Sequence, residues 1–178
     1  MSLLFTPLQL RGVTSRNRIV ISPMCQYSAE DGLASDWHLV HAGKFAQGGA
    51  GIVFLEATAV LADGRITHGD LGIWEGAHVP ALARVADFVR GQGAVPAIQL
   101  SHAGRKGAMA RPWEGNGPLT PELIAAGRVP WPIMAPGTKP VGPGWAVPRA
   151  MAATDLDAVR RAFEAATRRA LAAGFDIV

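Results

Sequence analysis

Apolar positions along the chain fall into two alternating patterns. Short continuous runs appear at Ile19 to Ile21, Gly51 to Glu56, Ala94 to Leu100 and Phe175 to Val178. Unbroken runs of this length fit strands buried on both faces, as in a parallel sheet. Between them, helical spacing dominates. Leu39, Ala42, Phe45 and Ala46 share one face of a helix predicted over Trp37 to Gln47, with Ser35 or Asp36 as cap and Gly48-Gly49 as stop. Val79, Leu82, Val85, Ala86 and Val89 form the stripe of a second helix over His78 to Gln92. Thr154 and Asp157 start a third, in which Leu156, Val159, Phe163, Ala166 and Ala170 trace a face ending at Gly174. Ahead of all these, Leu8 to Leu10 and Thr14 to Asn17 flank Arg11-Gly12-Val13 as a hairpin that plugs one end of the fold. Strand and helix in strict alternation describe an α/β fold built from right-handed crossovers.

One long segment escapes both patterns. From Gly107 to Ala150 the chain is rich in Pro and Gly, yet it carries Trp113, Trp131 and Trp145. A connection this long is usually functional or disordered, and three tryptophans argue for a packed lid.

Composition narrows the picture further. Of 178 residues, 49% are hydrophobic and 17% charged, which is globular rather than disordered. Lys plus Arg number 17 against 14 acidic residues, and the basic positions are scattered, so no nucleic-acid footprint is seen. The longest apolar stretch, Ile52 to Ala62, is interrupted by Glu56 and falls short of the ~18 residues of a membrane span. A single cysteine makes no internal disulfide and the opening residues lack the features of a signal peptide, so the expected location is cytoplasmic. His38 and His41 are three residues apart on one helix, but two imidazoles without a third ligand do not make a metal site, and none is expected.

The chemistry concentrates where the first strand stops. In Ile19-Val-Ile-Ser-Pro-Met-Cys-Gln-Tyr-Ser28, Pro23 cannot donate to a ladder, so the strand yields to a loop bearing Met24, Cys25 and Tyr27. Carboxyl ends of strands are where barrels and doubly wound sheets bind ligands. Sulfur and phenol groups there suit a flat, polarisable ligand; Met24 and Cys25 as core filler and Tyr27 as a surface cap is the alternative that composition leaves open.

Ser22-Pro-Met-Cys-Gln-Tyr27 resembles the flavin-contacting first strand of the old yellow enzyme family, in its cysteine-containing branch of xenobiotic and enoate reductases. Three further blocks are similar to that family in the same order: Asp36-Trp-His-Leu-Val-His41, Gly51 to Thr58 ending Glu-Ala-Thr, and Gln99-Leu-Ser-His-Ala-Gly-Arg-Lys106. The resemblance runs from Phe5 to Val178. It implies a (β/α)8 TIM barrel, of which this chain covers about the first four strands with the hairpin, residues 1–178 being the amino-terminal half of one flavin-binding domain and 107–150 its lid. It implies FMN as cofactor, NADPH or NADH as hydride donor, and a small α,β-unsaturated carbonyl or nitro compound as substrate. Ser22, Pro23, Met24, Cys25, Ala57 and Gln99 would bind the cofactor, Gln99 at the pyrimidine edge of the ring and Ala57 as a small neighbour. Cys25 and Tyr27 are the candidate catalytic residues: Cys25 tunes the ring through its thiol, with no adjacent base to make it a nucleophile, and Tyr27 binds substrate without being the proton donor.

A barrel of this class needs about 250 residues or more. The family's carbonyl-gripping histidine pair, its proton-donating tyrosine, the flavin-contacting arginine and the phosphate loops correspond to positions beyond Val178. The expectation is therefore an ene-reductase in the complete barrel, which would be a homo-oligomer. The alternative is a non-catalytic half-barrel that assembles with a partner chain. An iron-sulfur relative is disfavoured because the stretch carries no cysteine cluster.

Overall fold

The first regular pairing in the computed structural model, which describes residues 2–178, is an antiparallel hairpin. Its strands are β1 (Leu8–Leu10) and β2 (Val13–Ser15), joined through Arg11, whose φ of 51° is left-handed. The second strand begins one residue earlier than expected and stops at Ser15, so the turn is Arg11-Gly12 alone. Beyond it, Arg16 donates to the carbonyls of Ala46 (2.7 Å), Ala50 (2.9 Å) and Gln92 (2.8 Å), tying the hairpin to the ends of two helices.

The sheet is parallel and follows chain order. β3 (Val20–Ile21) pairs with β4 (Ile52–Ala59), and β4 pairs with β5 (Val95–Ser101). Helix α1 (Asp36–Gln47) connects β3 to β4, and α2 (Val79–Gly91) connects β4 to β5. A fourth parallel partner follows: Ile177 bridges Ala97, with the Ile98 amide donating to the Ile177 carbonyl at 3.0 Å.

β4 and the first half of β5 bury both faces, which is why they read as unbroken apolar runs, whereas Val20 of the edge strand β3 is exposed. Val53, Leu55 and Ile98 pack outward on Ala42 and Ala46 of α1 and Leu82, Val85 and Val89 of α2. Ile52, Val95 and Ala97 form the inner cluster with Phe54, Ile177 and the hairpin's Val13. Ile52 and Val95 open their strands, so Val13 sits at the amino-terminal end of the sheet, the end the hairpin is expected to plug.

The segment 107–150 is ordered by short pieces. It contains α3 (Pro121–Ala125) and a two-residue parallel pair of β6 (Met134–Ala135) and β7 (Arg149–Ala150), and it buries Met109, Ala110, Ile133 and Ala135. Trp131 donates its indole N–H to the Asp63 carbonyl at 3.0 Å and lies 4.8 Å from the Arg65 guanidinium. Trp113 is different: it is 62% exposed at the rim, so the three tryptophans do not all pack the lid.

The last helix, α4 (Ala153–Ala172), starts earlier than Thr154 and Asp157 suggest. Asp155, three residues after Ala152, accepts the Ala152 amide at 2.8 Å and binds Arg149. Ala166 and Ala170 are buried as expected, but Leu156 is 54% exposed. Among the described residues, no helix is long and apolar enough to cross a membrane.

Candidate active site

Pro23 ends the ladder of β3, and the chain from Ser22 to Ser28 runs on without regular pairing. Side chains and neighbouring loops hold it instead. The Gln26 amide N–H donates to Glu56 Oε2 at 2.9 Å, the Trp37 indole N–H donates to Gln26 Oε1 at 3.1 Å, and the Ser28 hydroxyl donates to the Gln26 carbonyl at 2.9 Å. Ala29, fully buried, donates its N–H to the Gly69 carbonyl at 2.9 Å. Tyr27 sits between these anchors with φ 51°, a left-handed conformation uncommon for a residue with a side chain.

A bulge in β4 decides what faces this loop. Leu55 pairs with Ile98, but the next pair is Ala57 with Gln99, leaving Glu56 as the extra residue. In an unbroken ladder Glu56 would stand opposite Gln99. The bulge swings its carboxylate outward, where it meets α1 and the Gln26 amide, and puts the small Ala57 beside Gln99.

The Ala57 amide and the Tyr27 hydroxyl both face the Cys25 sulfur. Cys25, Ala57 and Gln99 thus lie side by side across the carboxyl ends of β3, β4 and β5, with Tyr27 at the rim. Met24 is 41% exposed at the start of this shelf, next to exposed Ser22 and half-buried Pro23, and the Gln99 amide is exposed. All the residues singled out from sequence are at this one end of the sheet.

Electrostatics keep the two reactive groups protonated. Burial, then the Glu56 and Asp70 carboxylates, push the Cys25 thiol up, and burial with the neighbouring thiol pushes Tyr27 up to about 12. Cys25 is therefore a thiol and Tyr27 a phenol near neutral pH, which leaves both as hydrogen-bond donors.

Beside the shelf, the loop after β4 is organised by Asp70. Its carboxylate accepts from the Ile66 amide (2.6 Å), the Thr67 amide (3.0 Å) and the Thr67 hydroxyl (2.9 Å). Burial nonetheless raises it to about 6. In the same loop His68, 3.7 Å from Glu114, is lowered to about 4 by burial and by Arg111 and Arg128. Trp113 closes this side, its ring edge-on to Tyr27 at 6.3 Å.

These two shifts oppose one another in stability. Folded Asp70 holds a proton between pH 4 and 6 that the unfolded chain has released, so its contribution falls as pH rises through that window. Unfolded His68 holds a proton between about pH 4 and 6.5 that the folded chain lacks, so its contribution rises. Asp70→Asn should leave a melting temperature that climbs with pH between 4 and 6. His68→Asn should tilt the profile downward relative to the parent, with His41 and His102, both lowered by burial, still opposing Asp70. Thermal melts across that range check both signs.

Sequence reasoning missed Glu56, His38 and Gln26 as supports. The available signal was a lone carboxylate inside an apolar strand run, a group that must find partners when buried. Trp37 and His38 are neighbours at the start of α1 with opposite fates. Only His38 is buried, while Trp37 is 57% exposed and reaches Gln26. His38 does not pair with His41, whose ring lies edge-on to Phe45 at 5.3 Å, and among the described residues no group of three metal-ligating side chains occurs.

The shelf suits the ring of a flavin. Ala57 is a small residue opposite Gln99, and the exposed Gln99 amide offers a donor and an acceptor to a pyrimidine-like edge. The Cys25 thiol adds a weak donor a strand away.

Relatives give the family of the chain. The chain is 44% identical over 178 residues to an NADH:flavin oxidoreductase of Gibberella zeae, covering 98% of this chain and 42% of the relative. It is 41% identical over 179 residues to an NADPH dehydrogenase of a Geobacillus species, covering 99% and 47%. The chain therefore spans about half the length of the curated relatives it matches. Among solved structures, morphinone reductase superposes with a TM-score of 0.79 at 23% identity, covering 98% of this chain and 46% of that one, a likeness of fold. The old yellow enzyme homologue of Zymomonas mobilis superposes with 0.71 at 27% identity, covering 99% and 47%. The partial (β/α)8 barrel expected from the sequence is the fold these comparisons support. The sequence pattern of the NADH:flavin oxidoreductase / NADH oxidase family, whose flavin is FMN and whose electron donor is a reduced nicotinamide, matches residues 3–178, and the chain belongs to that family.

Proposed function

We propose that this chain supplies the flavin-facing shelf of an FMN-dependent ene-reductase, which uses NADPH or NADH to reduce a carbon-carbon double bond conjugated to a carbonyl or nitro group. The observation that carries this reading is the alignment of Cys25, Ala57 and Gln99 across three adjacent strand ends, with the Tyr27 phenol beside them. FMN, when bound, supplies the hydride that reaches the β-carbon of the substrate.

The chain's own residues bind and orient. Gln99 would offer its amide to the pyrimidine edge of the ring, and Ala57 would be its small neighbour. Ser22, Pro23 and Met24 would flank it from the loop after β3. Cys25 stays a thiol and acts as a weak donor rather than a nucleophile, because burial and nearby carboxylates oppose its ionisation. Tyr27 stays a phenol and donates to the substrate's carbonyl or nitro oxygen, drawing electron density from the double bond. The proton that completes the reduction is not assigned to Tyr27, whose phenol is committed to the substrate's oxygen.

The test uses the holoenzyme. It should be yellow, bleach anaerobically with NADPH or NADH, and regain its colour when 2-cyclohexenone is added. Bleaching without recovery, with the flavin intact, would remove the ene-reductase reading.

A further inference from the structure

Glu56 is 3% exposed, and removing a carboxylate from water costs several kcal/mol unless each oxygen finds a partner. One oxygen, Oε2, accepts the Gln26 amide N–H at 2.9 Å. The other, Oε1, lies 3.3 Å from His38 Nε2. His38 is itself 2% exposed, and its Nδ1 accepts the Ser35 amide at 3.0 Å, which places the hydrogen of the neutral ring on Nε2. Nε2 lies beside Oε1 but not in line for a hydrogen bond to it, and among the described residues neither atom has another partner. A line of contacts therefore runs from the start of α1, through His38 and Glu56 at the β4 bulge, to the backbone between Cys25 and Tyr27.

We propose that Glu56, braced by His38, is a positioning residue for the reaction, holding the Cys25–Tyr27 loop against the strand ends so that thiol and phenol meet ring and substrate at fixed places. The inference rests on the flavin reading above. Several features separate it from a merely structural role. A buried carboxylate is a poor source of stability compared with an apolar side chain of similar volume, and the bulge that aims Glu56 at Gln26 is the same one that sets Ala57 opposite Gln99. The loop also has no ladder of its own, and Tyr27 occupies a left-handed conformation that must be held from outside. The charge lies close enough to act on both Cys25 and Tyr27, so its loss alters their surroundings as well as their position.

The test compares holoenzyme variants. Glu56→Gln keeps the volume and an oxygen for Gln26 but removes the charge facing His38. His38→Asn keeps an acceptor for the Ser35 amide but removes the hydrogen facing Glu56. Both should bind FMN within about twofold of the parent, shift the visible flavin band, and lower kcat for 2-cyclohexenone about tenfold, short of the ~10²-fold loss that a 1 Å misplacement can cause. In a Cys25→Ala background the spectral shift from Glu56→Gln should vanish, because the residue acts through the thiol. Parent-like spectrum and kcat in Glu56→Gln, or a shift of equal size with and without Cys25, would overturn the proposal. Should Glu56→Gln not fold, His38→Asn in the two backgrounds decides by the same readouts. A parent protein that binds no FMN defeats the flavin reading, whereas an active parent with indifferent variants defeats this inference alone.

Discussion

Ala57→Leu should yield a protein that folds but purifies nearly colourless, with FMN affinity at least about a hundredfold weaker, or about 2.8 kcal/mol at 1.4 kcal/mol per factor of ten. Ala57 is 8% exposed, opposite Gln99 and next to the Cys25 sulfur, and its Cβ marks where the ring's face would rest. Three extra carbons there would crowd the place proposed for the ring, and overpacking a close-fitting site costs typically 1–3 kcal/mol. The fold should be spared, because Ala57 belongs to neither apolar cluster of the core. FMN titration by fluorescence quenching, with thermal melts of the apoprotein, measures both halves. Ala57→Gly should bind FMN within a few-fold of the parent. A leucine variant that binds FMN as tightly as the parent would mean the ring does not lie over β4.

Gly69→Ala should be the most damaging single-atom change near the site, lowering stability by about 2–3 kcal/mol and kcat at least about tenfold. A Cβ at Gly69 would overlap the Tyr27 carbonyl oxygen, and would stand 2.6 Å from Arg111 Nε and 2.7 Å from the Tyr27 carbonyl carbon. Backbone cannot yield as a flexible side chain can, and Gly69 is fixed on the other side by the bond from Ala29. Tyr27 must therefore shift, and its phenol with it. Thermal melts and steady-state kinetics with 2-cyclohexenone check the two effects. A variant that melts with the parent and turns over equally would show that Tyr27 is free to move without consequence.

The fold was legible where a pattern depends on the chain alone. The Leu82, Val85, Ala86 and Val89 stripe is periodic whatever surrounds it, and α2 forms there; the unbroken run from Ile52 to Leu55 declares a strand covered on both sides. Details that depend on a neighbour were hidden. The β4 bulge exists only as a relation to β5, so no spacing within Gly51 to Thr58 announces that Glu56 leaves the ladder. The start of α4 was misplaced because Asp155 and Asp157 are equally good acceptors on paper, and the Arg149 side chain, which grips Asp155, comes from another element. Leu156 reads as a core position by period but lies in the first turn of α4, where it remains exposed. Trp37 and His38, adjacent in sequence, go to opposite fates for the same reason: only the buried carboxylate of Glu56 tells them apart. At the site, Cys25 and Tyr27 were marked by the strand that stops at Pro23 and Ala57 and Gln99 by resemblance to a family, while their convergence on one sheet end follows from three parallel strands in chain order.

The most direct test of the shelf is magnetic resonance of the holoenzyme loaded with isotope-labelled FMN. If the ring lies across β3, β4 and β5 as proposed, Cys25→Ala should move the N5 resonance and leave the pyrimidine nitrogens in place, and Gln99→Ala should do the reverse. Two variants that both bind FMN and leave every ring nitrogen at its parent position would contradict the account.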